Sequence, residues 1–323
     1  MRIRPSFSRQ VLIAVAVAIL VPALFVSGTY GRHLLTLTLI YCTLGVSLNL
    51  VMGYAGLVSV AHGAFFGIGA YTTALMTVNG YGFTISVIAG MALAAATGTL
   101  VGLVTLRLRG HYFALATLAF TMTVVTILER WDEVTRGSRG ISDIPRPASF
   151  EVGGFDVVFK QFWPMYLLVL AVLCLALIIT HRLVHSPFGR ALQCVQRNEL
   201  LGRVFGVNVV SAKLQALALS AALASVSGSL YASYIAYIAP ADASFMRSFD
   251  AIMFVVVGGA GTIWGPVLGT FFIQFVPEVL RGLQDARLLV LGLILVGVVR
   301  FYPSGLSGLV GQLSRRLRAR WAA

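Results

Sequence analysis

Charge is scarce in this sequence of 323 residues: Asp, Glu, Lys and Arg together make up 11%, against about 25% in a soluble domain. Acids number only 11, and none precedes Glu129. Lysine is nearly missing, with Lys160 and Lys213 the only two among 24 basic residues. A soluble enzyme, a nucleic-acid binder and a disordered chain are excluded together, because no polar exterior of any size exists. The formal charge of +13 and pI near 10.3 therefore do not signal a nucleic-acid partner. Cysteine is sparse as well: Cys42 and Cys174 lie in apolar runs and Cys194 in a polar connection, which gives no disulfide framework and no zinc spacing. No Walker loop, nucleophile elbow or metal-ligand cluster is present. The chain is read as non-catalytic, with no cofactor of its own. His181 and His185, four apart on one helical face, read as interfacial histidines flanking a span rather than as ligands.

Apolar sequence takes the place of charge. Hydrophobic residues make up 58% and the mean hydropathy is +0.90. At about 20 residues per crossing, this length holds roughly ten spans. Candidate runs are 11–27, 34–52, 60–78, 83–106, 112–128, 162–184 and 212–238. The stretch 249–302 is apolar but broken, first by Gly258, Gly259, Gly261, Gly265 and Pro266 and again over 277–287; it reads as three crossings, the first short. The first run follows a basic flank but lacks a small-x-small cleavage site, so it reads as an uncleaved helix. The fold class is all-α: a polytopic transmembrane helical bundle of about ten spans, in one domain over 1–323.

Basic residues orient the bundle. Arg2, Arg4 and Arg9, then Arg107 and Arg109, then Arg182, Arg190, Arg197, Arg203 and Lys213, and finally Arg315, Arg316, Arg318 and Arg320 mark the cytoplasmic side. Both termini fall inside, which requires an even number of spans. The connection 185–211 is then cytoplasmic. The connection 129–161 is extracytoplasmic and carries Glu129, Asp132, Glu133, Asp143, Glu151 and Asp156. No acid reads as lying deep in a span, since Asp250 and Glu278 sit at segment ends. Ion-coupled carriers place carboxylates in their spans, so transport energy is expected from outside this chain.

Small residues recur at helical spacing where backbones approach: Ala216, Ser220, Ala224, Gly228, Ala232 and Ala236 in one run, Gly90, Ala94, Gly98 and Gly102 in another. GxxxG pairs occur at Gly63 and Gly67 and at Gly265 and Gly269. The stretches 56–71 and 259–272 share a glycine-rich entry, a GxxxG pair and following aromatics. They suggest halves related by inverted topology.

The connection 185–211 carries the best functional signal. Ser186 can cap a helix with Pro187 at its first position, and the spacing predicts one helix of about four turns over 188–205, ending at Gly206. Leu192, Val195, Leu201 and Phe205 give it apolar surface, while Arg190, Arg197, Glu199 and Arg203 give it charge. Two readings stand at this point: a helix lying on lipid headgroups, or one that docks into another protein and transmits its motion.

Ser186-Pro-Phe-Gly-Arg-Ala-Leu-Gln and Arg197-Asn-Glu-Leu-Leu-Gly-Arg-Val-Phe-Gly-Val-Asn208 resemble the cytoplasmic loop of branched-chain amino-acid ATP-binding-cassette transporter permeases of the Liv-type M kind. Three further stretches agree: 47–71, Thr135-Arg-Gly-Ser-Arg-Gly-Ile141, and Gly258-Gly-Ala-Gly-Thr-Ile-Trp-Gly-Pro-Val-Leu-Gly269. The similarity runs from about Leu34 to Leu309. In the loop motif Glu199 and Gly206 match, but Leu201 and Gly202 stand where two alanines are usual. The resemblance implies a bacterial inner-membrane importer half, multi-pass, working with a second related permease, two cytoplasmic ATPases that use the ATP, and a periplasmic binding protein. It implies ATPase coupling through Arg190, Arg197, Glu199, Arg203 and Gly206. Asn49, Ser59, His62, Tyr71 and Thr72, with Ser225, Ser229 and Tyr231, are the candidates for lining the passage; each has interhelical hydrogen bonding as its structural alternative. The loop 129–161, with Gly137, Gly140, Pro145 and Pro147, is a candidate platform for the binding protein. The competing class is a passive channel or secondary carrier acting without ATPases.

Overall fold

The structure, a computed structural model, describes residues 28–280 apart from 109, 148, 149, 153, 154, 158 and 160, together with 289–290, 292–293, 296–297, 300 and 305–308. In chain order the helices are α1 (Thr29–Met52), α2 (His62–Val78), α3 (Phe83–Thr105), α4 (His111–Arg130), a one-turn α5 (Asp132–Thr135), α6 (Phe162–His185), α7 (Pro187–Arg197), α8 (Glu199–Val204), α9 (Val209–Ile235), α10 (Phe245–Gly258) and α11 (Gly265–Val279). Helices α1, α3, α4, α6 and α9 are long and apolar enough to cross a bilayer. The chain is a helical membrane protein. The expected span 11–27 and the last of the three expected crossings in 249–302 lie outside the described residues, apart from a few positions of the latter.

Helix α1 is the central post, with every residue from Thr38 to Val51 buried. Helices α2, α6, α9, α10 and α11 pack around it. Helix α3 shows the opposite pattern. It buries only Ser86, Gly90, Ala94, Gly98, Gly102 and Thr105, the small-residue stripe extended by one residue at each end. Its other faces present Ile85, Ile88, Leu93, Leu100, Leu103 and Val104 outward. Lipid chains are as apolar as these side chains, so burial has to come from close backbone approach rather than from a hydrophobic drive.

Three segments outside the α-helices lie between packed helices: 53–61, 236–244, which holds a short 3₁₀ turn at Pro240–Ala243, and 259–264. Backbone of this kind at membrane depth is tolerated only where protein or a watery cavity satisfies it. Val60 shows how. Its N–H donates to Thr117 Oγ1 at 3.1 Å, and its carbonyl accepts from Thr121 Oγ1 and Ser248 Oγ, both at 2.7 Å. Thus α4 and α10 clamp the segment ahead of α2.

The connection 129–161 folds onto one end of the bundle. Thr135 Oγ1 donates to Leu128 O at 2.6 Å, and β1 (Ile141–Ser142) pairs antiparallel with a strand at Tyr237–Ile238 from the 236–244 segment. A second hairpin, Phe150–Val152 with Phe155–Val157, completes it. Gly140 has φ +71° and a Cβ there would strike Ile238 O, so only glycine delivers Ile141 to its partner. Ile141 and Ile144, each 2% exposed, join Ala70, Tyr71 and Ala232 in a shared apolar cluster. The connection 185–211 sits at the opposite end, across the length of α6.

The inverted pairing of 56–71 with 259–272 is not observed. Arg247 stacks on Tyr41 and Phe254 meets Gly45, so α10 descends beside α1 in the same direction. Helix α11 then returns, with Tyr30 at the start of α1 donating to Glu278 near the end of α11 at 3.0 Å. Both glycine-rich turns therefore face the same end of the bundle, whereas a two-fold axis in the membrane plane would set them at opposite ends.

Candidate substrate passage and coupling elbow

The 185–211 connection holds two helices where one was expected. Ser186 caps α7 as anticipated, its Oγ accepting from Gly189 N at 3.2 Å with Pro187 next in line. The helix stops at Arg197 because Asn198 takes an extended conformation and caps a new helix, its Oδ1 accepting from Leu200 N at 2.9 Å and Leu201 N at 3.3 Å. An asparagine that bonds its own following amides competes with helix continuation. The result is an elbow rather than a straight lever, with α8 ending before Gly206 at φ +75°.

One face of this elbow is fixed to the bundle. Leu192 and Val195 are each 1% exposed, and Gly202 lies against Val195. Gln196 Nε2 donates to Gly53 O at 2.9 Å, joining α7 to the turn below α1. Lys213 on α9 forms an ion pair with Glu199. The other face is bare: Leu200, Leu201, Val204 and Phe205 are 71, 52, 81 and 74% exposed. Of the expected coupling residues, Arg190, Arg197, Arg203 and Gly206 are exposed. Arg190 Nη1 donates back to His185 O at 3.2 Å. His181 and His185 have ring centroids 4.2 Å apart, and no cluster of three potential metal ligands occurs among the described residues.

The expected passage residues divide by location. His62 Nε2 meets Ser220 Oγ at 2.7 Å, and Thr73 Oγ1 donates to Ser229 Oγ at 2.8 Å, so these pairs join α2 to α9. Ser225 and Tyr71 are buried nearby, and neither hydroxyl has a hydrogen-bond partner among the described residues. Ser59 is buried and bonds Ala61 N at 3.3 Å, while Thr72 is half-buried. Asn49 spends both ends of its amide on the 259–264 turn, accepting from Gly261 N at 2.9 Å and donating to Thr262 O at 2.8 Å. An orphaned buried backbone group costs about 1–3 kcal/mol. Replacement of Asn49 by Leu, which keeps the volume, is expected to lower stability by about 3 kcal/mol and the detergent melting temperature with it, whereas Asn49→Asp keeps the Gly261 contact and loses less.

Tyr231 alone of the expected residues belongs to a charged site. Its hydroxyl donates to Asp242 Oδ1 at 3.0 Å. Arg247, which sequence reasoning passed over, stands at the centre: its guanidinium lies 4.8 Å from the Tyr41 ring centroid and 5.6 Å from those of Phe66 and Tyr231. It pairs with Asp242 at 3.4 Å and Asp250 at 3.7 Å. Asp250 is six residues into α10, because the helix starts at Phe245 rather than at Phe249, and its side chain is 42% exposed. The overlooked signal was the i, i+3 spacing of Arg247 and Asp250 inside an apolar run.

The sequence pattern of the family described as "Branched-chain amino acid transport system / permease component" matches residues 30–299. The chain belongs to that permease family. The permease is 35% identical to the high-affinity branched-chain amino acid transport system permease protein LivM of Escherichia coli K12, over 93% of this chain and 76% of the relative. It is 26% identical to the LivH permease protein of the same strain, over 72% and 79%, and 23% identical to the autoinducer 2 import system permease protein LsrC of Yersinia enterocolitica, over 83% and 75%. The matched region takes in the elbow, both glycine-rich turns and the Arg247 cluster.

Proposed function

We propose that this permease is one membrane half of an ATP-driven importer of branched-chain amino acids in a bacterial inner membrane. It has ten spans with both ends cytoplasmic, a second related permease beside it, two ATPases beneath the 185–211 elbow and a binding protein at the 129–161 end. ATP is used by the ATPases, and this chain supplies no catalytic group. The observation that carries the reading is the elbow: a bare apolar face of Leu200, Leu201, Val204 and Phe205 on a unit tied at its other face to the Gly53 turn.

The mechanical path is continuous. Movement of α8 passes through Gly202 and Val195 to α7, through Gln196 to Gly53, and along 53–61 to the Val60 clamp on α4 and α10. Leu192 packs in one apolar cluster with Tyr54, Leu57, Phe65 and Val255, so the same displacement reaches α10 by packing. Coupling of this kind needs packed elements with two discrete arrangements. The relatives named for branched-chain amino acids and for autoinducer 2 support a shared machine whose substrate is set largely by the separate binding protein.

The test is reconstitution in liposomes of the two permeases, the two ATPases and the binding protein. Leucine uptake is expected with ATP and loaded binding protein, and none is expected from this chain alone. Flux through the chain alone, or flux driven by an ion gradient, identifies a channel or secondary carrier and overturns the proposal.

A further inference from the structure

A carboxylate on a membrane helix does not face lipid; it faces a partner or water. Asp250 has a side chain 42% exposed, on the open side of α10 that also presents Met246 and Phe249. That face of α10 is therefore not a lipid face. The two acids around Arg247 differ in what they have left to offer. Asp242 is fully engaged: Oδ1 accepts from Tyr231 and from Arg247 Nη2, and Oδ2 accepts from Ala239 N at 3.1 Å, so it holds the 236–244 segment. Among the described residues Asp250 has only the loose 3.7 Å contact with Arg247 Nη1. Arg247 has a buried Nε without a hydrogen-bond partner among the described residues, and its planar faces are occupied by Tyr41, Phe66 and Tyr231. Asp242 holds Nη2, so Nη1, with its loose contact to Asp250, is the guanidinium nitrogen left to donate to a carboxylate.

We propose that Arg247 and Asp250 hold the passing amino acid by its two charges, the α-carboxylate on Arg247 Nη1 and the α-ammonium on the Asp250 carboxylate, with the apolar side chain against the exposed Phe249 on the same face of α10. This rests on the reading of the chain as an amino-acid permease. The substrate inserts between two groups already paired, so each charge it brings replaces a contact that exists without it. The exchange makes the hold weak, as a passage requires: Asp250 re-forms its contact with Arg247 as the substrate leaves. Asp242 keeps Arg247 paired throughout, so the site never contains a lone buried cation.

The experiment uses the complete reconstituted transporter. Asp250→Asn is expected to cut leucine uptake at least tenfold while ATP hydrolysis stimulated by leucine-loaded binding protein stays within twofold of the parent, and Asp250→Glu is expected to recover a substantial part of the uptake. Unchanged uptake overturns the proposal. So does a parallel fall in uptake and hydrolysis, which marks the pair as a structural contact, within this chain or against the second permease. Should the Asn variant fail to assemble, Met246→Cys leaves the charges in place: a small membrane-impermeant cationic thiol reagent is expected to label it well above the parent's own cysteines, and absence of labelling refutes a watery face on α10. If the parent complex shows no ATP-driven leucine uptake, the importer reading fails by itself, and the labelling of Met246→Cys still reports on the face.

Discussion

Gly228→Val is expected to abolish the folded permease. Gly228 lies where α9 crosses α2, and a Cβ at this position would run into the Phe66 carbonyl oxygen. The collision is with backbone, so no side-chain rotation relieves it. Gly69 on α2 faces Ser225 with the same tightness, which closes the crossing from the other side. The interhelical bonds His62 to Ser220, Thr73 to Ser229 and Ser229 to Gly69 O depend on that separation. Overpacking costs about 1–3 kcal/mol, occasionally more; forcing apart two backbones and the hydrogen bonds between them belongs at the upper end. Hydrophobic collapse does not compensate, because lipid offers the separated helices an equally apolar surface. The measurement is the yield of monodisperse protein in mild detergent and its thermal midpoint. Gly228→Val with a normal yield and midpoint would show that the α2 and α9 backbones do not meet as described. Leu219→Val, on the exposed side of the same helix, is the control and is expected to change little.

The sequence announced this crossing and missed the charged site for one physical reason. Close helix approach in lipid demands small residues at every fourth position, and that demand leaves a periodic trace: Ala216, Ser220, Ala224, Gly228 and Ala232 are all buried. The α3 stripe is equally legible, since little else on that helix is buried. Ser186 and Pro187 announced a helix start because capping chemistry is local. Asn198 ended the same helix through an equally local cap, but a mid-run asparagine is ambiguous until the backbone is seen to turn extended there. Arg247 left no such trace. Its partners Tyr41, Phe66 and Tyr231 come from α1, α2 and α9, and only the three-dimensional packing shows that one arginine stands over all three rings. Asn49 meets the same limit: in sequence it reads either as a passage group or as an interhelical hydrogen bond, and only the packing shows that its two bonds go to a turn some 210 residues away.

Val204→Asp with Phe205→Asp is expected to leave a stable permease that transports nothing. These side chains are 81 and 74% exposed and touch no part of the core, which at the elbow is made by Leu192, Val195 and Gly202. The thermal midpoint should therefore match the parent. Burying an apolar side chain in a partner is worth about 1.5–3 kcal/mol, so losing two of the four exposed ones removes at least about 3 kcal/mol of docking. At about 1.4 kcal/mol per tenfold, affinity for the ATPases should fall by about a hundredfold or more, and two buried negative charges add to the loss. The readout is co-purification of the ATPases with the permease pair, alongside leucine uptake. A helix that merely lay on headgroups would keep its ATPases after this change, and normal co-purification with normal uptake would reject the elbow as their seat. Gln196→Ala separates docking from transmission. It leaves the apolar face intact and removes only the bond to Gly53 O, so the ATPases should co-purify as before while uptake per ATP hydrolysed declines. A single hydrogen bond contributes about 0.5–1.5 kcal/mol, which sets the decline at a few-fold rather than complete. Loss of the ATPases from Gln196→Ala would instead show that the elbow's own position, held by that bond, determines whether they dock.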